Sequence, residues 1–561
     1  MHRFAWLVAL MVVAMPAPAA EQGITVFTAA RIRTMDAARP TATAMAYDAS
    51  GRILAVGEAG ELAKRYPAAR KLEMGAATVV PGLIDAHAHV GYLGFTMMNA
   101  DLVGTRSKAE VLERLRAKAA TLQPDEWLLG AGWDQNDWPE QAFPTATDLD
   151  AAFPDRPVWL ARVDGHASWA NSAAMRAVSR DLSGSWQPDG GAIQRDTAGK
   201  PNGIFIDNAQ LLVENARPAP DEATAERALV MGMKAAVEHG LTGVHDAGIT
   251  LAELQRYQRL ADRGQMPLRI YAMADGDREA LESLCRNGLY RHPSGRLQMR
   301  AVKLYADGAL GSRGAAMLAD YSDDHGNRGL LVMSPEQLAV AAAKAKRCGV
   351  QVATHAIGDR GNRLTLDTYA KALGAEASSD HRWRVEHAQI LAPGDVQRLA
   401  TMGVIASMQP THATSDMPWA EHRVGPQRIV GAYAWRSLRD AGARLALGSD
   451  FPVESVDPRL GLYSAVSRAD ADGKPAGGWM PQEKLTAFEA LRGFTLDAAY
   501  AGFAEGELGS LEPGKRADFV VLADDPLAVP DAALRTLDVR ATYVDGKPVY
   551  AAGVRASAAT P

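Results

Sequence analysis

The rhythm of apolar and polar positions changes twice along the chain. Over residues 24–27, 43–47 and 52–56, apolar and polar side chains alternate in short runs broken by Gly, Asp and Pro, which predicts the strands of a small β-unit. The same alternation returns at residues 517–522 and 541–550, the second a hairpin turning at Asp545-Gly546. The two ends are expected to pair into one β-sandwich. Between them, apolar runs of strand length alternate with helical periodicity, the order that builds a parallel barrel with helices outside. Eight barrel strands are predicted, the first running up to His89 and the others at 241–246, 268–274, 300–305, 350–356, 383–388, 404–408 and 444–448. Helices fit 222–239, 334–348 and 363–373, with Gly349 as a stop. The predicted fold is α/β: a (β/α)8 TIM-like barrel over residues 81–505, with an insertion of about 91–220 after its first strand. A β-sandwich made from residues 20–80 and 506–561 stands beside it.

Residues 1–19 stand apart. His2 and Arg3 precede an apolar run from Phe4 to Met15, and Ala17-Pro18-Ala19 offers a small-residue cleavage site, the layout of a Sec-type signal peptide. The run is too short to span a bilayer, so export to the periplasm or medium is expected, with no stable membrane insertion after cleavage. No cysteine lies near the cleavage site, which argues against a lipid anchor. The formal charge of −6 and the absence of a Lys/Arg cluster interleaved with aromatics give no support to nucleic-acid binding. Cys285 and Cys348 are the only cysteines and form no CxxC motif, so two buried free thiols are expected.

The chemistry lies at the strand ends. Side chains alternate along a strand, so His87 and His89 point the same way, with Asp85 one step further in. One His-x-His pair is weak evidence for a metal. The C-terminal ends of later strands, where barrel enzymes place their chemistry, add Lys303, His355, His387 and Asp450. Singly, each fits a core histidine, a salt-bridge lysine or a helix cap. Jointly, four histidines and an aspartate suit Zn²⁺ or a similar divalent ion, one or two per chain. Lys303 cannot ligate as an ammonium. Desolvation beside a divalent charge lowers its pKa, and the neutral amine can add CO₂ to form a carbamate, a carboxylate able to bridge two metals. The alternative is a lysine paired with Asp307.

His87-Ala88-His89, Lys303, His355, His387 and Asp450, in that order, resemble the amidohydrolase superfamily. The surrounding segments resemble amidohydrolase family 3, which includes N-substituted formamide deformylase-like enzymes: VKLYADGALGSR at 302–313, HAIGD at 355–359, EHAQ at 386–389, SDFPVE at 449–454 and GWDQ at 132–135. The likeness extends to 509–519 and so covers nearly all of the chain after the signal peptide. It implies that His87, His89 and Asp450 hold one metal, that His355 and His387 hold another, and that carboxylated Lys303 bridges them. It also implies a bridging hydroxide as nucleophile, with Asp450 as general base and then acid in cleavage of a small-molecule C–N bond.

Trp133, His166, Tyr305, Arg313, Gln409 and His412 are the candidate substrate-binding residues. Arg313 suits a substrate carboxylate, or an ion pair with Asp307 or Asp323. The insertion, with aromatic and polar residues on expected loops, suits either a lid or a packed subdomain. Two other functions remain open: an esterase or lactonase using the same metal site, and a non-catalytic binding protein, which the complete ligand set disfavours. A homo-oligomer is compatible with the sequence.

Overall fold

The computed structural model describes residues 23–276 and 278–553, so the expected signal peptide lies outside the described residues. Eight parallel strands form the central sheet: Leu83–Ala88, Leu241–Ile249, Arg269–Asp275, Leu297–Tyr305, Gln351–Ala356, Arg384–His387, Ile405–Met408 and Leu445–Leu447. They are hydrogen-bonded in that order. The chain just past the eighth strand returns to the first, where Asp450 N donates to His87 O at 2.7 Å and His89 N to Phe451 O at 2.9 Å. That seam closes the barrel at the end where the histidines emerge. All eight sequence-predicted strands are present, because buried parallel strands read as nearly continuous apolar runs.

The helices between them follow their capping signals. Pro335–Arg347 starts at a Ser334/Gln337 capping box with Pro at its first position, and it ends before Gly349, whose φ of 68° is left-handed. Glu222–Glu238 starts at Asp221, whose carboxylate accepts from Thr224 N. The two cysteines correct the sequence expectation: they are not free thiols but a Cys285–Cys348 disulfide. It joins the helix Arg278–Asn287 to the end of Pro335–Arg347 on the barrel wall.

The chain ends do pair. Strand Phe519–Leu522 runs antiparallel to Thr78–Pro81. Instead of two separate sheets, the strands form one eight-stranded sheet that curls on itself. Ile53 N donates to Lys515 O at 2.9 Å across the closure, and Phe27 packs edge-on to Phe519 at 4.8 Å. The Asp545-Gly546 turn has φ of 52° and 68°, the left-handed pair that a two-residue hairpin requires.

The insertion is a packed subdomain. Six strands in the order Gly191–Arg195, Pro201–Asp207, Ala167–Ala170, Val158–Arg162, Leu128–Trp133, Ala100–Asp101 cover a core containing Trp133, Trp138 and Trp169. Trp133 therefore stands on a strand, not a loop. Among the described residues, no helix is long and apolar enough to cross a membrane.

Candidate active site

The barrel mouth gathers the predicted ligands. His87 lies on the first strand, with His89 just beyond its end; Lys303 sits near the end of the fourth strand, His355 on the fifth, His387 at the end of the sixth, and Asp450 three residues past the eighth. The imidazole rings form a chain, with centroids 5.5 Å apart for His87 and His89, 4.9 Å for His87 and His387, and 4.6 Å for His387 and His355. Asp450 faces them, its Oδ1 3.1 Å from His89 Nε2 and 3.5 Å from His87 Nε2. Ligand atoms of His87, His387 and Asp450 lie within 4.8 Å of one another. This trio crosses the division into two metal positions implied by the resemblance, since His387 belongs to the second set.

The donor set fits a divalent metal. Asp450 Oδ1 is buried without a hydrogen-bond partner, which costs free energy unless something else satisfies it. The outer ring nitrogens are meanwhile occupied: His87 Nδ1 is 2.5 Å from Glu386 Oε2, His89 Nδ1 2.9 Å from Ala247 O, and His387 Nδ1 2.8 Å from Gln409 Oε1. Such contacts leave the Nε2 lone pairs facing the cavity, the usual arrangement around a metal-binding histidine. His387 and Asp450 have φ of 72° and 63°, a cost tolerated where side chains must be aimed.

Electrostatics points the same way. Burial pushes His87 down to about 4 and holds His355 and His387 well below the usual imidazole range, so all three are uncharged at neutral pH. Burial alone would raise the Asp450 carboxyl, but the histidines that face it, His89 first and then His87 and His387, outweigh burial and hold the group well below its ordinary value. Burial lowers Lys303 to about 8. Its Nζ lies 3.1 Å from His87 Nε2, not against Asp307, whose carboxylate accepts from Ala316, Ile357 and Gly358 backbone N–H groups.

Two lobes of about 350 and 360 Å³ meet at His355, His387 and Asp450. Of the six candidate substrate residues, three line them. Tyr305 and His166 face the first lobe, and His412 faces the second, its Nε2 3.7 Å from Asp450 Oδ2. Gln409 acts behind the site by orienting His387. Trp133 corrects the sequence expectation: it is fully buried in the insertion core, its Nε1 donating to Leu160 O at 3.0 Å, because the strand alternation turns it away from the barrel. Arg313 is also elsewhere, paired with Asp323 at 3.0 Å. A separate cavity of about 60 Å³ at the opposite barrel end, lined by His245 and Tyr271, is too small for a substrate.

Sequence reasoning missed three supporting residues. Glu386 and Arg384 face the barrel interior two residues apart, and Arg384 also donates to Ala86 O at 2.6 Å and Ser407 Oγ at 2.8 Å. Charged residues inside an apolar strand were the available signal. Asp207 ends an insertion strand and accepts from His166 Nδ1 at 2.6 Å. Burial alone would lower the His166 pKa, but this hydrogen bond and the Asp207 charge lift it above its ordinary value. The apolar run Ile204-Phe205-Ile206 before Asp207 was the signal there.

Barrel and ligand cluster are together those of a metal-dependent hydrolase. A family model described as "Amidohydrolase family" matches residues 76–550, and the chain belongs to that family. It is 33% identical to the N-substituted formamide deformylase of Arthrobacter pascens over 92% of this chain and 96% of that protein. It is 35% identical to Protein LONG AFTER FAR-RED 3 of Arabidopsis thaliana, over 92% and 90% of the two chains. Among solved structures, an uncharacterized metal-dependent hydrolase from Pyrococcus horikoshii superposes with a TM-score of 0.73 at 26% identity, covering 91% of this chain and 99% of the other.

Proposed function

We propose that this hydrolase cleaves the C–N bond of a small amide, N-acyl or N-formyl compound. One or two divalent metal ions, Zn²⁺ by the mixture of nitrogen and oxygen donors, would be held by His87, His89, His355, His387 and Asp450, with Lys303, carboxylated, as a further ligand. The observation that carries this proposal is the buried trio of His87, His387 and Asp450 around the orphaned Asp450 Oδ1. The bond type is supported by the likeness to a formamide deformylase. When bound, the metal supplies an activated water and a Lewis acid for the carbonyl. The protein does the rest. Asp450, ionised at neutral pH, accepts the water proton and delivers it to the departing nitrogen. Glu386, Ala247 O and Gln409 hold the imidazoles in one orientation, and the insertion closes the mouth on the His166 side. The buried, largely desolvated Lys303 favours carboxylation, and the Cys285–Cys348 disulfide favours export, since disulfides persist in oxidising compartments.

Elemental analysis of the mature protein, wild type beside Lys303→Ala, tests the site together with turnover of matched amides and esters. We expect about two metals per chain in the wild type, falling toward one or none in the variant, with amide turnover lost in parallel. Unchanged occupancy and turnover in Lys303→Ala would remove Lys303 from the ligands. Cleavage of esters but not amides would replace the proposed bond.

A further inference from the structure

Two insertion strands carry a second apolar face that packs on a core only in part, with Trp159 and Leu129 joining Phe205, Ala209 and Val213 in a small cluster. In Leu128–Trp133 and Val158–Arg162, Leu128, Val158 and Leu160 belong to the insertion's own core. Leu129, Ala131, Trp159 and Ala161 point to the other side, and they stand in register as two cross-strand pairs, Leu129 beside Trp159 and Ala131 beside Ala161. A sheet face turned to water ordinarily carries polar residues. This one fronts a chamber of about 500 Å³, bounded opposite by Tyr92, Phe95 and Met98 on the helix Val90–Met98. Large side chains, Leu129 and Trp159, form one end of the floor; alanines, followed by Gly165, leave room at the other.

The chamber adjoins the metal-ligand cavity. Tyr92, Gly165, Gln210 and Glu214 line both, and the first lobe beyond them contains Lys303, His355, His387 and Asp450. The floor carries no charge, and at its edge Glu214 feels the opposing charge of Arg217. A chamber of this volume, with an apolar floor faced by Tyr92, Phe95 and Met98 and adjoining the cavity of the metal ligands, is built for part of a ligand rather than for bulk water.

We propose that this chamber is a substrate subsite for a large uncharged alkyl or aryl group attached to the amide whose carbonyl lies at the metal ligands. The proposal rests on the amide-hydrolase function given above. Nothing in the geometry of the floor distinguishes the acyl from the amine side of the scissile bond, so the shared chemistry is the apolar group, and the substrates below separate the two sources.

The test uses the purified metal-loaded protein and three amides: N-ethylacetamide, N-ethyloctanamide with an apolar acyl side, and N-(2-phenylethyl)acetamide with an apolar amine side. We expect kcat/KM for one of the larger amides to exceed that for N-ethylacetamide by at least about tenfold, and the favoured one identifies the side that enters the chamber. Ala161→Trp, which fills the floor, should abolish that advantage through KM while leaving N-ethylacetamide turnover within about twofold. Phe95→Ala, which removes part of the roof, should weaken the same substrate and guards against a folding defect in the first variant. No advantage for either large amide, or an advantage that survives both substitutions, overturns the subsite. If wild type hydrolyses none of the three, the amide function fails, and calorimetric binding of N-ethyloctanamide decides the subsite alone. Binding weakened at least about tenfold by Ala161→Trp upholds it; equal binding by both proteins, or none by wild type, overturns it.

Discussion

His87 is gripped from two directions, and the grip explains more of the site than the ligand itself. Its Nδ1 meets Glu386 at 2.5 Å, and Glu386 in turn accepts from Arg384 Nε at 2.6 Å, with all three side chains fully buried. A buried ion pair of this kind is weak evidence for stability, because desolvation offsets its attraction. Its value lies in fixing which nitrogen of His87 keeps a lone pair for the cavity. Glu386→Gln keeps the shape but offers an amide where a carboxylate held the ring. We expect metal affinity to fall by roughly 10- to 100-fold, with activity restored by excess metal. Titration of the apo protein with Zn²⁺ checks this, and unchanged affinity would make Glu386 a structural residue only.

At the scale of elements, what could be read from sequence depended on whether an element's partners were local. The eight barrel strands were legible because each is apolar on both faces and ends on a chemical signal such as His355 or Asp450. The insertion was not, because Trp133, lying between Gly132 and Asp134, looks like part of a turn until Leu160 and Trp169 pack against it. Cys285 and Cys348, 63 residues apart, could not be paired without the fold that brings their helices together. The relocation of Trp133 makes a prediction: Trp133→Ala should cost about 3–5 kcal/mol of stability through an emptied core, with KM at low temperature little changed. A specificity change in a stably folded variant would put Trp133 back at the pocket. A second element-scale prediction concerns Asp246, which ends the second barrel strand's polar run and accepts from Val90 N at 3.0 Å, capping the helix Val90–Met98, and from Tyr257 Oη at 2.6 Å. Burial raises it from 3.8 to about 7. Native protein therefore keeps a proton that the unfolded chain releases, and this contribution to stability is present at low pH and lost as pH rises from about 4 to 7. Asp246→Asn should remove that loss, making stability fall less steeply across the window by up to about 1.4 kcal/mol per pH unit relative to wild type. Urea midpoints at several pH values test it, and parallel curves would refute it.

At the scale of the whole molecule, the barrel's lower end and the curled terminal sheet are joined by charge as well as by apolar packing. Arg269, at the start of the third barrel strand, donates to Asp518 through two bonds of 2.7 and 2.9 Å and also reaches Asp545, and Asp545 is shared with Arg296 and Arg516. Thr542 Oγ1 adds a bond to Val237 O at 2.8 Å. Asp518 belongs to the segment that pairs with Thr78–Pro81, the last sheet strand before the chain enters the barrel at Leu83. One largely buried cluster thus ties the C-terminal strands to the barrel floor, far from the mouth where His87 and Asp450 meet. Asp518→Ala leaves Arg269 buried with half its partners gone and should destabilise the protein by about 3–5 kcal/mol, whereas replacing both, Arg269→Met with Asp518→Leu, should recover most of that loss. Because the catalytic end is held by its own seam at His87, His89 and Asp450, kcat of the folded fraction should stay within about twofold in both variants. Denaturation midpoints and low-temperature turnover measured on the same samples check the two halves separately. Loss of kcat in a still-folded Asp518→Ala protein would mean that the terminal sheet shapes the active site, not only the stability of the barrel beneath it.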